Sequence, residues 1–240
     1  MASIRASGHL GPVRAATIGR RAGSNVRLTS ANHPEFIADA VVHAVGISFG
    51  VIGAAGLLTM VASSGNLREC AAIGIYAIGL LSMLGCSAAY HIARSSPRRT
   101  MLRRLDHAAI FLMIAGTYTP FTILRLKGFW GFGMTVFVWS VAAIGIVGKL
   151  WRPARFEAFS TALYLALGWS ALLALYPLLH ALKPSTLVLI GVGGLLYTVG
   201  VIFHLWERLP FRNAIWHGFV LVAASVHFAA VLNETLYLSA

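Results

Sequence analysis

The chain has 240 residues, 58% of them hydrophobic and only 11% charged, and its mean hydropathy is +0.77. A soluble domain carries about a quarter charged residues, so the composition excludes a soluble fold and indicates an integral membrane protein. The formal net charge of +12 does not indicate nucleic acid, because the basic residues lie in short loops between apolar runs and form no recognisable binding motif.

Residues 1–34 are rich in Ala, Ser and Arg and hold no Asp or Glu. That composition fits a mitochondrial transit peptide or a disordered basic tail near anionic lipid. The lack of a clear amphipathic period favours the tail. The rest, 35–240, reads as one membrane domain. Seven apolar stretches follow, roughly 37–62, 70–92, 105–125, 129–149, 158–180, 186–206 and 213–236. Each is long enough for a helix to cross about 30 Å of hydrocarbon. Helices are required because lipid offers no partner to open backbone groups. The predicted fold is therefore all-α, a seven-helix transmembrane bundle. The third and fourth spans are the hardest to separate, with only Arg125, Lys127 and Gly128 marking the turn.

Seven spans put the termini on opposite sides. Fifteen of the 19 Lys and Arg fall in the N-terminal segment and the second, fourth and sixth loops, against four on the other side. Lys and Arg collect on the cytoplasmic face, which predicts a cytoplasmic N-terminus and an external C-terminus. Gly46, Gly50, Gly53 and Gly56 recur down the first span, and Gly191, Gly193 and Gly194 lie in the sixth. Such spacing lets helices approach closely, and intramolecular packing is the simpler use. Cys70 and Cys86 fall on one predicted helix, about 24 Å apart along its axis, which excludes a disulfide between them.

That topology gathers polar residues in one membrane half. The second span ends with Ser87 and His91, and the third begins with Asp106 and His107. The seventh begins with Asn213 and His217, and the first with Asp39 and His43. The far side has no comparable set, and Glu234 near the exit reads as one isolated acid. Ionisable groups beside lipid are costly, so their convergence suggests a site. Histidine and carboxylate together suit zinc. Ser87 shares a helix face with His91, and Asn213 with His217, so each pair offers an imidazole and a group to orient it. Asp106 is placed either to coordinate the metal or to act as a base towards water that the metal acidifies. His227 lies about 15 Å further along the helix than His217 and on another face, so both cannot hold one ion. His227 and His107 therefore read as packing or hydrogen-bonded residues, while His204, His180, His33 and His9 read as solvated.

These residues carry a family resemblance. Ser87-Ala88-Ala89-Tyr90-His91 resembles the Ser-x-x-x-His motif of the hemolysin III family. Leu105-Asp106-His107-Ala108-Ala109-Ile110, running on to Gly116-Thr117-Tyr118-Thr119-Pro120-Phe121, resembles its third-helix signature. Asn213-Ala214-Ile215-Trp216-His217, running on to Val226-His227-Phe228, resembles its seventh-helix signature, and the stretch 197–203 also fits. The resemblance spans about residues 35–237, and three motifs in order are highly specific. The wider superfamily includes the progestin and adipoQ receptors and, more distantly, the alkaline ceramidases.

The resemblance implies a zinc site at the cytoplasmic end of a multi-pass protein, with a bacterial inner (plasma) membrane as the expected location. It implies His91 and His217 as metal ligands and Asp106 as the acid that holds the zinc-bound water. The family's other seventh-helix histidine maps to Asn213, a departure, since Asn is a poor zinc ligand. Either Asp106 moves onto the metal, or His43, Asp39 or extra water fills the gap, or zinc binds weakly. Three functions follow. One is a zinc-dependent hydrolase of an amide-bonded membrane lipid, with Asp106 as catalytic residue. Another is a non-enzymatic, membrane-permeabilising cytolytic protein. A third is a receptor or transporter with structural zinc. The spans show no amphipathic segment suited to leaving a soluble state, which argues against cytolysis.

Overall fold

The computed structural model describes residues 33–93 and 97–238. The expectation for the basic tail falls outside them, as do His9 and the His33 side chain. Among the described residues there is no strand, and seven helical segments are long and apolar enough to span a membrane. Helix α1 covers His33–Ser64, α2 Leu67–Ile92 and α3 Arg99–Pro120, which runs on as a π-helical turn, Phe121–Arg125. Helix α4 is Gly128–Trp151. The fifth span is composite: α5 (Pro153–Gly168), a 3-10 segment (Trp169–Ala174) and α6 (Leu175–Ala181). Helices α7 (Pro184–Leu205) and α8 (Arg212–Leu238) complete the bundle.

Local chemistry sets these boundaries. Asn66 caps α2: its Oδ1 accepts from the backbone N–H of Arg68 at 3.0 Å, and its Nδ2 donates to Glu69 Oε1 at 2.8 Å. This satisfies amide groups that a helix start leaves open. Pro153 and Pro184 stand in the first turns of α5 and α7, where a missing N–H costs nothing. The short turn between α3 and α4 exists because Gly128 adopts φ +57°, which a side chain would oppose. Pro120 removes a backbone donor just before the π-helical turn.

Apolar side chains such as Phe132 and Ile144 cover the outside, as a lipid-facing surface requires. The interior is closed by Tyr76, Leu80, Phe111 and Val138, all fully buried. Helix α1 joins through its glycines: a Cβ on Gly53 would meet the Phe228 ring of α8 at 2.8 Å, and one on Gly50 would meet Leu84 of α2 at 2.5 Å. Gly50 and Gly53 thus serve packing inside the bundle, whereas a Cβ on Gly56 would meet nothing within 4 Å. Cys70 and Cys86 are both free, on α2.

The end of the bundle away from the polar cluster corrects one expectation. Glu234 is not isolated. Its Oε2 pairs with Arg125 Nε at 2.8 Å, and Thr186 Oγ1 donates to its Oε1 at 2.6 Å. Asn233 adds a hydrogen bond to Thr186 at 2.8 Å. Residues more than a hundred positions apart meet here because the π-helical turn and the end of α8 reach the same depth. A buried carboxylate needs such partners.

Candidate metal centre

Antiparallel neighbours bring the starts of α1, α3 and α8 to the same end as the C-terminus of α2. Asp39 and His43 stand four apart on α1, so both face the bundle interior. His91 comes from the last turn of α2 and His217 from the second turn of α8. A tie between helix starts supports the arrangement: the Phe211 N–H donates to Glu35 Oε1 at 3.1 Å, holding the turn before α8 against the start of α1. Phe211 itself is held at φ 58°, uncommon for a residue with a side chain.

The potential ligand atoms of Asp39, His43, His91 and His217 all lie within 4.8 Å of one another. His217 Nδ1 donates to Asp39 Oδ1 at 2.6 Å, and His91 Nδ1 lies 3.0 Å from Asp39 Oδ2. His43 Nε2 stands 3.7 Å from the same Oδ2. The three rings crowd together, with centroids 4.4 Å apart for His91–His217 and 4.5 Å for His43–His217. The Asp39 side chain is only 3% exposed, so the imidazoles are what make its burial tolerable.

This donor set fits a metal ion. Its candidate ligand atoms, all within 4.8 Å of one another, are close enough to share one ion. Among the described residues the buried His43 Nε2 has no hydrogen-bond partner, although buried nitrogens normally find one. Three imidazoles and a carboxylate suit zinc or another first-row ion.

Other expected residues take different places. Asp106 is half-buried and lines the same cavity as the three histidines, outside the four-residue group. Ser87 and Asn213 also line it, yet among the described residues no hydrogen bond joins Ser87 to His91 or Asn213 to His217. The group that orients both rings is Asp39. His227 lies deeper, where its Nε2 donates to the Ile190 carbonyl at 3.2 Å. His107 sits 3.4 Å from Lys149 Nζ. His180 is exposed, whereas His204 is half-buried against Trp216, with ring centroids 4.9 Å apart. His204 therefore departs from the solvated reading, because the start of α8 covers the end of α7.

The cavity beside the cluster has a volume of about 900 Å³. It runs from Tyr90 and Asp106 past Ile110 and Tyr164 to Leu126 and Leu178, so it extends deep into the bundle. Its walls are mostly apolar, the usual character of a ligand site. Tyr118 stiffens one wall: its hydroxyl donates to the Gly168 carbonyl at 2.7 Å and accepts from the Ala171 N–H at 2.7 Å. It thereby satisfies backbone groups where α5 gives way to the 3-10 segment.

Comparison with known proteins covers the same region. A family model described as haemolysin-III related matches residues 32–228, which include the four clustered residues and Asp106. A hemolysin-3 homolog of Bacillus subtilis is 37% identical over 198 residues, covering 82% of this chain and 93% of that protein. Hemolysin-3 of Bacillus cereus is 35% identical over 202 residues, covering 84% and 92%. The human monocyte to macrophage differentiation factor is 30% identical over 205 residues, covering 82% and 83%.

Proposed function

Because the chain belongs to the haemolysin-III-related family of membrane proteins, we propose that it is a zinc-dependent hydrolase of an amide-bonded membrane lipid. The observation that carries this reading is the joining of a buried His/Asp cluster to a long apolar cavity. His43, His91 and His217 would hold the ion, and Asp39 orients at least two of their rings. Bound zinc would supply a water with a pKa near 7 and polarise the scissile carbonyl. Asp106, which lines the same cavity, would take the proton from the attacking water and return it to the departing nitrogen. The water oxygen ends on the acyl carbon as the C–N bond breaks, and the amine leaves protonated. The apolar walls hold the acyl chain and exclude bulk water. The Lys/Arg bias supports a cytoplasmic location for this end, in a bacterial inner membrane.

A second reading draws on the closeness of Asp39. Catalytic zinc keeps a position open, whereas four protein ligands make a closed, structural site. Asp39 oxygens already lie within 3.0 Å of two rings, so a His3Asp shell would make the metal structural, as in a receptor or transporter. The name of the Bacillus cereus relative raises cytolysis for that protein, and the apolar spans here argue against it. Incubating the purified, zinc-loaded protein with ceramides and related amide lipids separates these readings. Release of free fatty acid supports the hydrolase. Stoichiometric zinc with no release under any metal condition sinks it and favours the structural reading, while lysis of red cells by the purified protein favours cytolysis.

A further inference from the structure

Basic residues near a cytoplasmic loop ordinarily need no explanation beyond topology. Two of those on α3 do more. Arg99 and Arg103 line the cavity, whereas their neighbours Arg98 and Arg104 do not. Arg104 turns away and donates to the Leu150 carbonyl at 3.3 Å. Arg99 is drawn inward over the Tyr90 ring, 5.4 Å from its centroid, one residue from His91. From the start of α8, Arg212 lines the same mouth.

The α3 face that borders the cavity reads in a fixed order. Arg99 and Arg103 come first, Asp106 next, then Ile110, Met113 and Phe121, all at helical spacings of three, four or multiples of them. At 1.5 Å per residue the stripe from Arg103 to Phe121 covers about 27 Å, nearly the thickness of the hydrocarbon core. A face that passes from cations to a carboxylate to apolar side chains is the complement of an amphiphile. Its head would be anionic, its tail a single long chain, and its reactive bond would lie level with Asp106 and the histidines. Arg99, Arg103 and Arg212 line this end together with the carboxylates of Asp106 and Glu207. Guanidinium is also the cation best shaped for phosphate or carboxylate oxygens.

We propose that Arg99, Arg103 and Arg212 form a recognition site for the anionic head group of a single-chain lipid whose tail occupies the cavity. The inference deepens the lipid-hydrolase reading and rests on it for the ligand being a lipid. It adds that the preferred lipid carries negative charge at its head, with the arginines selecting the substrate rather than reacting with it.

Binding tests this without relying on turnover. The full chain, in nanodiscs of neutral phosphatidylcholine, is offered oleoyl lysophosphatidic acid, the neutral monoolein, or inorganic phosphate, and retention is measured by native mass spectrometry. The expected result is at least a tenfold preference for lysophosphatidic acid over monoolein. In an R99Q/R103Q/R212Q variant that preference disappears while monoolein retention and metal content stay unchanged. Should the triple variant not fold, Arg103→Gln alone weakens the preference and Arg103→Lys keeps most of it. Equal retention of the two lipids, or a preference that survives loss of the arginines, overturns the proposal. So does displacement of the lipid by an equal concentration of inorganic phosphate, since the tail would then contribute nothing. Arginine-dependent preference in a protein that hydrolyses nothing leaves this inference standing and removes the hydrolase reading. Hydrolysis of neutral amide lipids without any head-group preference does the reverse.

Discussion

Replacing Asp39 by alanine probes the part of the centre that departs most from the family's expected ligand set. The carboxylate touches two rings, at 2.6 Å to His217 and 3.0 Å to His91. Removing a group that orients one metal-binding histidine typically costs ten- to a hundredfold in affinity. With two rings released, the expected loss is about a hundred- to ten-thousandfold, or roughly 2.8–5.6 kcal/mol at 1.4 kcal/mol per tenfold. Asp39→Asn, which keeps a neutral acceptor of the same size, should lose less. Competition against a chromophoric chelator in detergent at about pH 7.5 measures this directly. The same titration repeated at lower pH reads the protonation of the ligands. Imidazoles must be neutral to bind, so protons compete with the metal and affinity falls as pH drops. Because the cluster contains three imidazoles, the fall should be steeper than a single proton explains. Affinity of Asp39→Ala within threefold of the unaltered protein would refute the role given to this carboxylate.

Other substitutions follow from the same geometry. Asp106→Ala should keep full metal occupancy yet lower hydrolysis of an amide lipid by at least a hundredfold, the usual range for losing a general base; loss of metal instead would place Asp106 among the ligands. Asn213→His lines the cavity one helical turn before His217 and should tighten metal binding, most visibly in the Asp39→Ala background. Unchanged affinity in both backgrounds would mean that position 213 does not reach the ion. Glu234→Ala should leave metal binding unaltered but destabilise the bundle by about 3–5 kcal/mol, because it removes the carboxylate of a buried ion pair and leaves Arg125 with the Ala181 carbonyl in place of a counter-charge there. Thermal unfolding in detergent reads this, and an unaltered midpoint would show the pair to be solvated.

Much of the fold was legible in the chain because the bilayer allows a single solution to each long apolar run. The seven spans, the turn at Gly128 and the intramolecular use of Gly50 and Gly53 all follow from hydropathy and local chemistry. The convergence of Asp39, His43, His91 and His217 was legible only in outline. Alternating helix direction puts their ends at one depth, but depth does not say which helices are neighbours. The spacing Asp39-x-x-x-His43 was the signal that two α1 residues share an inward face, and it repeats the spacing of Asn213 and His217. Ser87 and Asn213 were attractive as partners for the histidines because they lie on the same helices. The structure instead supplies the partner from across the bundle, as ion pairs commonly are. Glu234 and Arg125 escaped for the same reason. The π-helical turn and the 3-10 segment left no mark in hydropathy, since both keep an apolar composition while changing the helical pitch.

Metal analysis of the purified, full-length protein, compared with His91→Ala and His217→Ala, probes the centre most directly. One zinc ion per chain, falling to near zero in both variants while each remains folded, is the expected result. Full zinc occupancy in the His217 variant, or no first-row metal in the unaltered protein after zinc loading, would contradict the assignment of this cluster as a metal centre.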